Sequence, residues 1–249
     1  ARYSAKKSVT RKAKDEAYAK AMRQVAREAP DDADAATIAA EAMMVLRPWD
    51  YWRADGRPQP GTEEILAILE AALRQHPDHP GACHYYIHAV EASLDPQRAL
   101  DCAKRLPSLM PGAGHLVHMP AHIYMRLGRY REASERNATA AMVDHEYLSR
   151  HPLEGNYASG YYAHNLHFLN ASLMMEGRSA EALQVARDLL VKVPADEIAK
   201  EPSLEWYAPT VLLTMARFGQ WGDLIRHPPP SKSLRLTTGL WHFSRGLAF

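Results

Sequence analysis

Along most of the chain apolar residues return every three or four positions with polar residues between them, and no segment alternates long enough to predict a strand. DEAYAKAMRQVAREAP (15–30) and DAATIAAEAMMVL (34–46) predict one helical pair. RPWDYWRADGRPQPG then interrupts the pattern at 47–61 with Pro and Gly, before TEEILAILEAALRQHP (62–77) resumes it. Near the other end, 203–225 predicts a degenerate helical pair and 233–249 a further helix. Prolines 77, 111 and 194 stand where helices should stop.

Three segments share a spacing once each is anchored on a small residue: Ala99 in PQRALDCAKRL, Ala133 in RYREASERNATAA and Ala182 in SAEALQVARDLL. Ala99 and Ala133 lie 34 residues apart, the period of the tetratricopeptide repeat, a pair of helices that stacks on its neighbours. LGRYREA (127–133) resembles the Gly-x-Tyr-x-x-Ala core of that repeat, and EGRSAEA (176–182) matches it with Ser for Tyr. The next interval, 49 residues to Ala182, exceeds one repeat by fifteen and predicts an insertion at about 142–160, as a loop or a lengthened helix end. The expected fold is all-α, a tetratricopeptide-like helical-hairpin solenoid forming a single domain over 1–249.

Candidate chemistry sits in three short segments, HYYIH (84–88), HLVHMPAH (115–122) and HNLH (164–167), which hold seven of the 13 histidines. His115 and His164 each lie 18 residues before an anchor alanine; His84, His118 and His167 lie 15 before; His88 and His122 lie 11 before; Glu91 lies 8 before. Intervals of 3, 4 and 3 put these sites on one helical stripe. Glu41 follows Pro30 by 11, as His88 follows Pro77 and His122 follows Pro111. In the tetratricopeptide family such sites face the concave groove, so the likeness implies that the imidazoles line it.

A lone groove histidine is ordinarily solvated or hydrogen-bonded, and many such grooves bind peptide tails. Seven imidazoles at three equivalent sites fit that account poorly, because protonating them together is self-repulsive unless an ion sits among them. The i, i+4 pairs of HYYIH and HMPAH can each hold one ion from one helical face. Imidazole dominance points to copper or zinc, one to three ions, rather than to calcium or magnesium. The candidate ligands are His84, His88, His115, His118, His122, His164, His167 and Glu41. Glu91 is a ligand or proton acceptor, and Tyr124, beside His122, is a candidate catalytic phenol. Pro120 predicts a helix beginning near His118, with His115 ahead of it, or else a kink in a longer helix.

The segments HPDHPGACHYYIHAVEAS, PGAGHLVHMPAHIYMRLGRY and AHNLHFL resemble a family of bacterial tetratricopeptide proteins, over about residues 40–190. The resemblance implies a longer parent with further N-terminal helices, often exported, and supplies no established reaction. Three function classes follow: a metalloenzyme performing copper-dependent oxidation or zinc-type hydrolysis, a metal-binding or storage protein, or a scaffold holding an acidic peptide. A small molecule or peptide would occupy the groove in the first and last.

Composition narrows the partners. With 30 basic against 29 acidic residues, the net charge of +1 creates no global field for nucleic acid or an anionic membrane, and neither is expected. No stretch has the length and hydropathy of a membrane helix, and no signal peptide is read at the start. The chain begins at Ala1 inside a basic run, so an upstream segment is expected. Cys83 and Cys102 are not in a CxxC pair and are read as small packing residues. No Ser-His-Asp order or phosphate-cradling Gly loop is present.

Overall fold

The computed structural model describes residues 9–151 and 157–249, and among them the fold is all-α. The only extended pairing among these residues is an isolated antiparallel bridge between Trp52 and Pro58, inside the predicted interruption. The chain divides into two compact units. The first comprises residues up to Pro111 together with His122–Leu127, and the second comprises Gly112–Ala121 and Gly128–Phe249.

In the first unit, α1 (Arg11–Glu28), α2 (Ala33–Met44), α3 (Thr62–Gln75), α4 (Pro80–Val90) and α5 (Leu100–Leu109) each pack on the next, as stacked helical hairpins do. The buried stripe of α3, Ile65, Leu66, Leu69 and Ala72, repeats at helical spacing, as its sequence predicts. Its partner α4 begins with Pro80 at the first helical position, where the missing N–H would have no intrahelical acceptor. His79 caps it: Nδ1 accepts from Ala82 N–H at 3.0 Å and Nε2 bonds Asp34 Oδ1 at 3.0 Å. Cys83 and Cys102 are free and buried.

Helix α5 continues to Leu109 through Pro107, beyond the PQRALDCAKRL stretch. The interruption at 47–61 is tied down from both sides. Trp52 Nε1–H donates to Ala89 O on α4 at 2.7 Å, and Thr62 Oγ1–H donates to Tyr51 O at 2.7 Å.

The second unit starts with α6 (Gly114–His118). Helix α7 (Pro120–Arg126) follows directly, contributing its first two residues here and the rest to the first unit. Pro120 therefore opens α7, and His115 lies inside the preceding helix α6 rather than ahead of the helical segment, closer to a longer helix kinked near the proline. Then come α8 (Tyr130–Arg150), α9 (Ala163–Glu176) and α10 (Ser179–Lys192), with α8 on α9 and α9 on α10.

The predicted insertion at 142–160 divides three ways. Residues to Arg150 lengthen α8, a π turn spans Ala158–Tyr162, and 152–156 lie outside the described residues. Gly177 ends α9 at φ 77°, a left-handed conformation that costs a Cβ-bearing residue about 1 kcal/mol or more. The unit finishes with α11 (Ala195–Lys200), α12 (Thr210–Arg217), α13 (Trp221–Arg226) and α14 (Arg235–Ala248). Leu189, Val193, Ile198 and Tyr207 share one apolar cluster with Leu166 of α9, and Leu183, Ala186, Leu212 and Leu224 form another. Among the described residues no helix is long and apolar enough to cross a membrane.

Candidate metal centre

In the first unit, His84 and His88 are one turn apart on α4, with ring centroids 5.0 Å apart. Glu91 follows Val90 at the C-terminal end of that helix, and its backbone N–H still bonds Ile87 O. One carboxylate oxygen, Oε1, lies 2.9 Å from His88 Nδ1, and the other, Oε2, lies 2.6 Å from His122 Nδ1 on α7. An ionised carboxylate only accepts, so both imidazoles donate to it from Nδ1, and an ion held by all three residues would take the place of those protons. The His88 and His122 rings stand edge to face, centroids 5.1 Å apart. Ligand atoms of His88, Glu91 and His122 all lie within 4.8 Å of one another, a group that could hold a metal ion.

Burial sets the charges. Desolvation, then the neighbouring His88 and His122, pushes His84 down to about 3; desolvation likewise pushes His88 below its ordinary value, against its hydrogen bond to Glu91. Burial alone would raise Glu91, but the charge and hydrogen bond of His122 and the hydrogen bond of His88 outweigh it and hold the carboxyl at about 2. Near neutral pH Glu91 is therefore an anion beside the uncharged imidazoles His84 and His88, which favours a cation.

Glu41, half-buried on α2, and Glu91 both act on Tyr51, whose phenol is raised first by burial and then by these two carboxylates. Tyr51 sits in the Pro/Gly-rich segment and carries no motif, so no local pattern singles it out. Tyr124 is buried on α7 in the same unit. Tyr86 bonds Glu70 Oε1 at 2.7 Å, and Glu70 also pairs with Arg98.

In the second unit, His118 is fully buried at the end of α6 and its Nδ1 lies 2.6 Å from Asn137 Oδ1 on α8. Its Nε2 is 3.0 Å from Nε2 of His164 on α9. The His115 ring is 5.8 Å from that of His118, 6.3 Å from that of His164 and 5.0 Å from that of Tyr161. His167 packs against Trp206 and Tyr207, at 4.9 Å and 5.3 Å, and burial lowers its pKa.

Seven residues beyond Asn137, Asp144 lies two turns along α8 and is fully buried. It accepts from Tyr157 O–H at 2.8 Å and from Asn165 Nδ2 at 2.6 Å. Burial pushes its carboxyl above the ordinary 3.8, against both hydrogen bonds. Between 3.8 and the raised value the folded chain holds more protons than the unfolded one, so this group's contribution to stability falls as pH rises through that window. Buried Asn165 Oδ1 has no hydrogen-bond partner, so its amide can flip to accept from an Asn at 144. Asp144→Asn is expected to remove that loss. Urea denaturation of both proteins from pH 3.5 upward should show their stability difference shifting toward the variant as pH rises, and a difference independent of pH would refute the assignment.

Two described cavities lie away from these ligands. One of about 340 Å³ is lined by Arg23, Pro30, Glu64 and His76 in the first unit, and one of about 430 Å³ by Val193, Ile198, Val211 and Leu234 in the second. Compared with known proteins, the chain matches no protein-family model and no curated relative.

Proposed function

We propose that this chain is a metal-binding protein whose His88, Glu91 and His122 hold a first-row transition ion, copper or zinc, and that the ion serves catalysis. The observation that carries the reading is the buried carboxylate joining two imidazoles, with three ligand atoms within 4.8 Å of one another. Two imidazoles and one carboxylate are a familiar open set, which leaves a position for water or substrate, whereas structural sites tend to fill all four with protein atoms. Calcium and magnesium would ask for an oxygen shell that these residues lack.

The bound ion supplies a Lewis acid for hydrolysis or, as copper, a one-electron centre for oxidation. The chain's own contribution is to hold two imidazoles on one anion, in surroundings where His84 and His88 stay uncharged. The 34-residue spacing of Ala99 and Ala133 supports reading the hairpins as tetratricopeptide-like, a scaffold suited to a small-molecule or peptide substrate.

Elemental analysis of protein purified without a nickel column tests this. Stoichiometric copper or zinc is expected, and the ion found decides whether phenols and amines or esters and peptides are assayed first. If dialysis against both metals leaves none bound, the proposal fails.

A further inference from the structure

We infer that His118 and His164 of the second unit form a further copper site, made of imidazole nitrogen and built on Asn137. None of the three belongs to the proposed carboxylate site. Asn137 is fully buried on α8, and its Nδ2 donates to Ala133 O at 2.9 Å and to Ser172 Oγ at 3.3 Å. Both donor directions are thereby used, so Oδ1 faces His118 and can only accept.

His118 Nδ1 must then carry the proton that bridges the 2.6 Å to Asn137, and its Nε2 carries the lone pair. That lone pair points at His164 Nε2, 3.0 Å away. Holding the far nitrogen of a histidine by a fixed acceptor is the usual way a protein orients a metal-binding imidazole. A tetrahedral ion bound at about 2.0 Å separates two nitrogens by roughly 3.3 Å, so a few tenths of an ångström of opening suffices.

The surroundings select the kind of ion. Phe168 closes one side, its ring 4.9 Å from that of His118 and 5.8 Å from that of His164. The third imidazole within reach is His115, one turn before His118 on α6. Against an aromatic wall a monovalent ion costs less to desolvate than a divalent one. Imidazole nitrogen suits copper, and these features together point to copper in its reduced, monovalent state.

The alternative for the same geometry is a plain hydrogen bond in which His164 Nε2–H donates to His118. Titration of the full chain with Cu(I) against a chromophoric chelator, under reducing anaerobic conditions, separates the two. The native chain is expected to bind one more ion than the His164→Gln variant, and Asn137→Ala, checked for native helix content, to bind that ion about 10- to 100-fold more weakly. Glu91→Gln should retain it. If His164→Gln and the native chain take up Cu(I) with equal stoichiometry and affinity, the pair is only a hydrogen bond and the inference falls. If Glu91→Gln alone loses an ion, the carboxylate site survives that result. If the native chain takes up no Cu(I) at all, the inference falls, while the carboxylate site is decided by the dialysis against copper and zinc.

Discussion

Glu91→Gln is expected to lower the affinity of the chain for copper or zinc about 10- to 100-fold, and Glu91→Ala at least as much. The carboxylate accepts from two imidazoles at once, Nδ1 of His88 at 2.9 Å and Nδ1 of His122 at 2.6 Å. A glutamine keeps the shape but has one oxygen and one NH2, so it can accept from only one of them. The other imidazole must turn or move its proton, and the anion that favours a cation is gone. Alanine leaves both rings without their common acceptor. The measurement is competition with a chelator of known affinity, alongside circular dichroism to confirm the fold. His79→Asn is the control, because asparagine can still accept from Ala82 N–H at the start of α4; this variant should bind metal as the native chain does. Native affinity in Glu91→Gln would remove the carboxylate from the site.

Gly114→Ala should be the most damaging small substitution in the second unit. A Cβ at Gly114 would stand 2.0 Å from Asp144 Oδ1 and 2.5 Å from its Cγ, far inside contact distance. Asp144 cannot simply swing away, since Tyr157 and Asn165 hold its two oxygens and it is fully buried. Either those bonds break or the start of α6 lifts from α8. The expected loss is about 2–4 kcal/mol, from overpacking together with strained buried hydrogen bonds. In a chain of this size that lowers Tm by about 5–15 °C. Because α6 carries His115 and His118, the variant should also lose the Cu(I) bound at His118 and His164. Gly112→Ala, where an added Cβ meets nothing within 4 Å, should melt within about 2 °C of the native chain. Equal melting of the two variants would show that α6 is not seated on Asp144.

The pattern of apolar positions was sufficient for the helices, since a periodic stripe and its flanking caps are local properties. The run TEEILAILEAALRQ became α3 with its buried face on Ile65, Leu66, Leu69 and Ala72. The same local rule put His84 and His88 on one side of α4. It could not show that Glu91 would bind His88 and His122 together, because that depends on how α7 lies against the end of α4. Asn137 and Asp144 carried no motif at all. They read as polar positions on a long helix, and only the packing of α6 and α9 against α8 buries them and gives each its partners. The segment 47–61 shows the same division. Its prolines and glycines announced a break between helices, while the bond from Trp52 to Ala89 and the placing of Tyr51 near Glu91 arise from tertiary contact. The sequence by itself determined the main helical runs and that His84 and His88 share a helical face, through periodicity over one or two turns. Tertiary structure alone decided which atoms meet, because a hydrogen bond forms only within a few tenths of an ångström and no local pattern specifies distance to that accuracy.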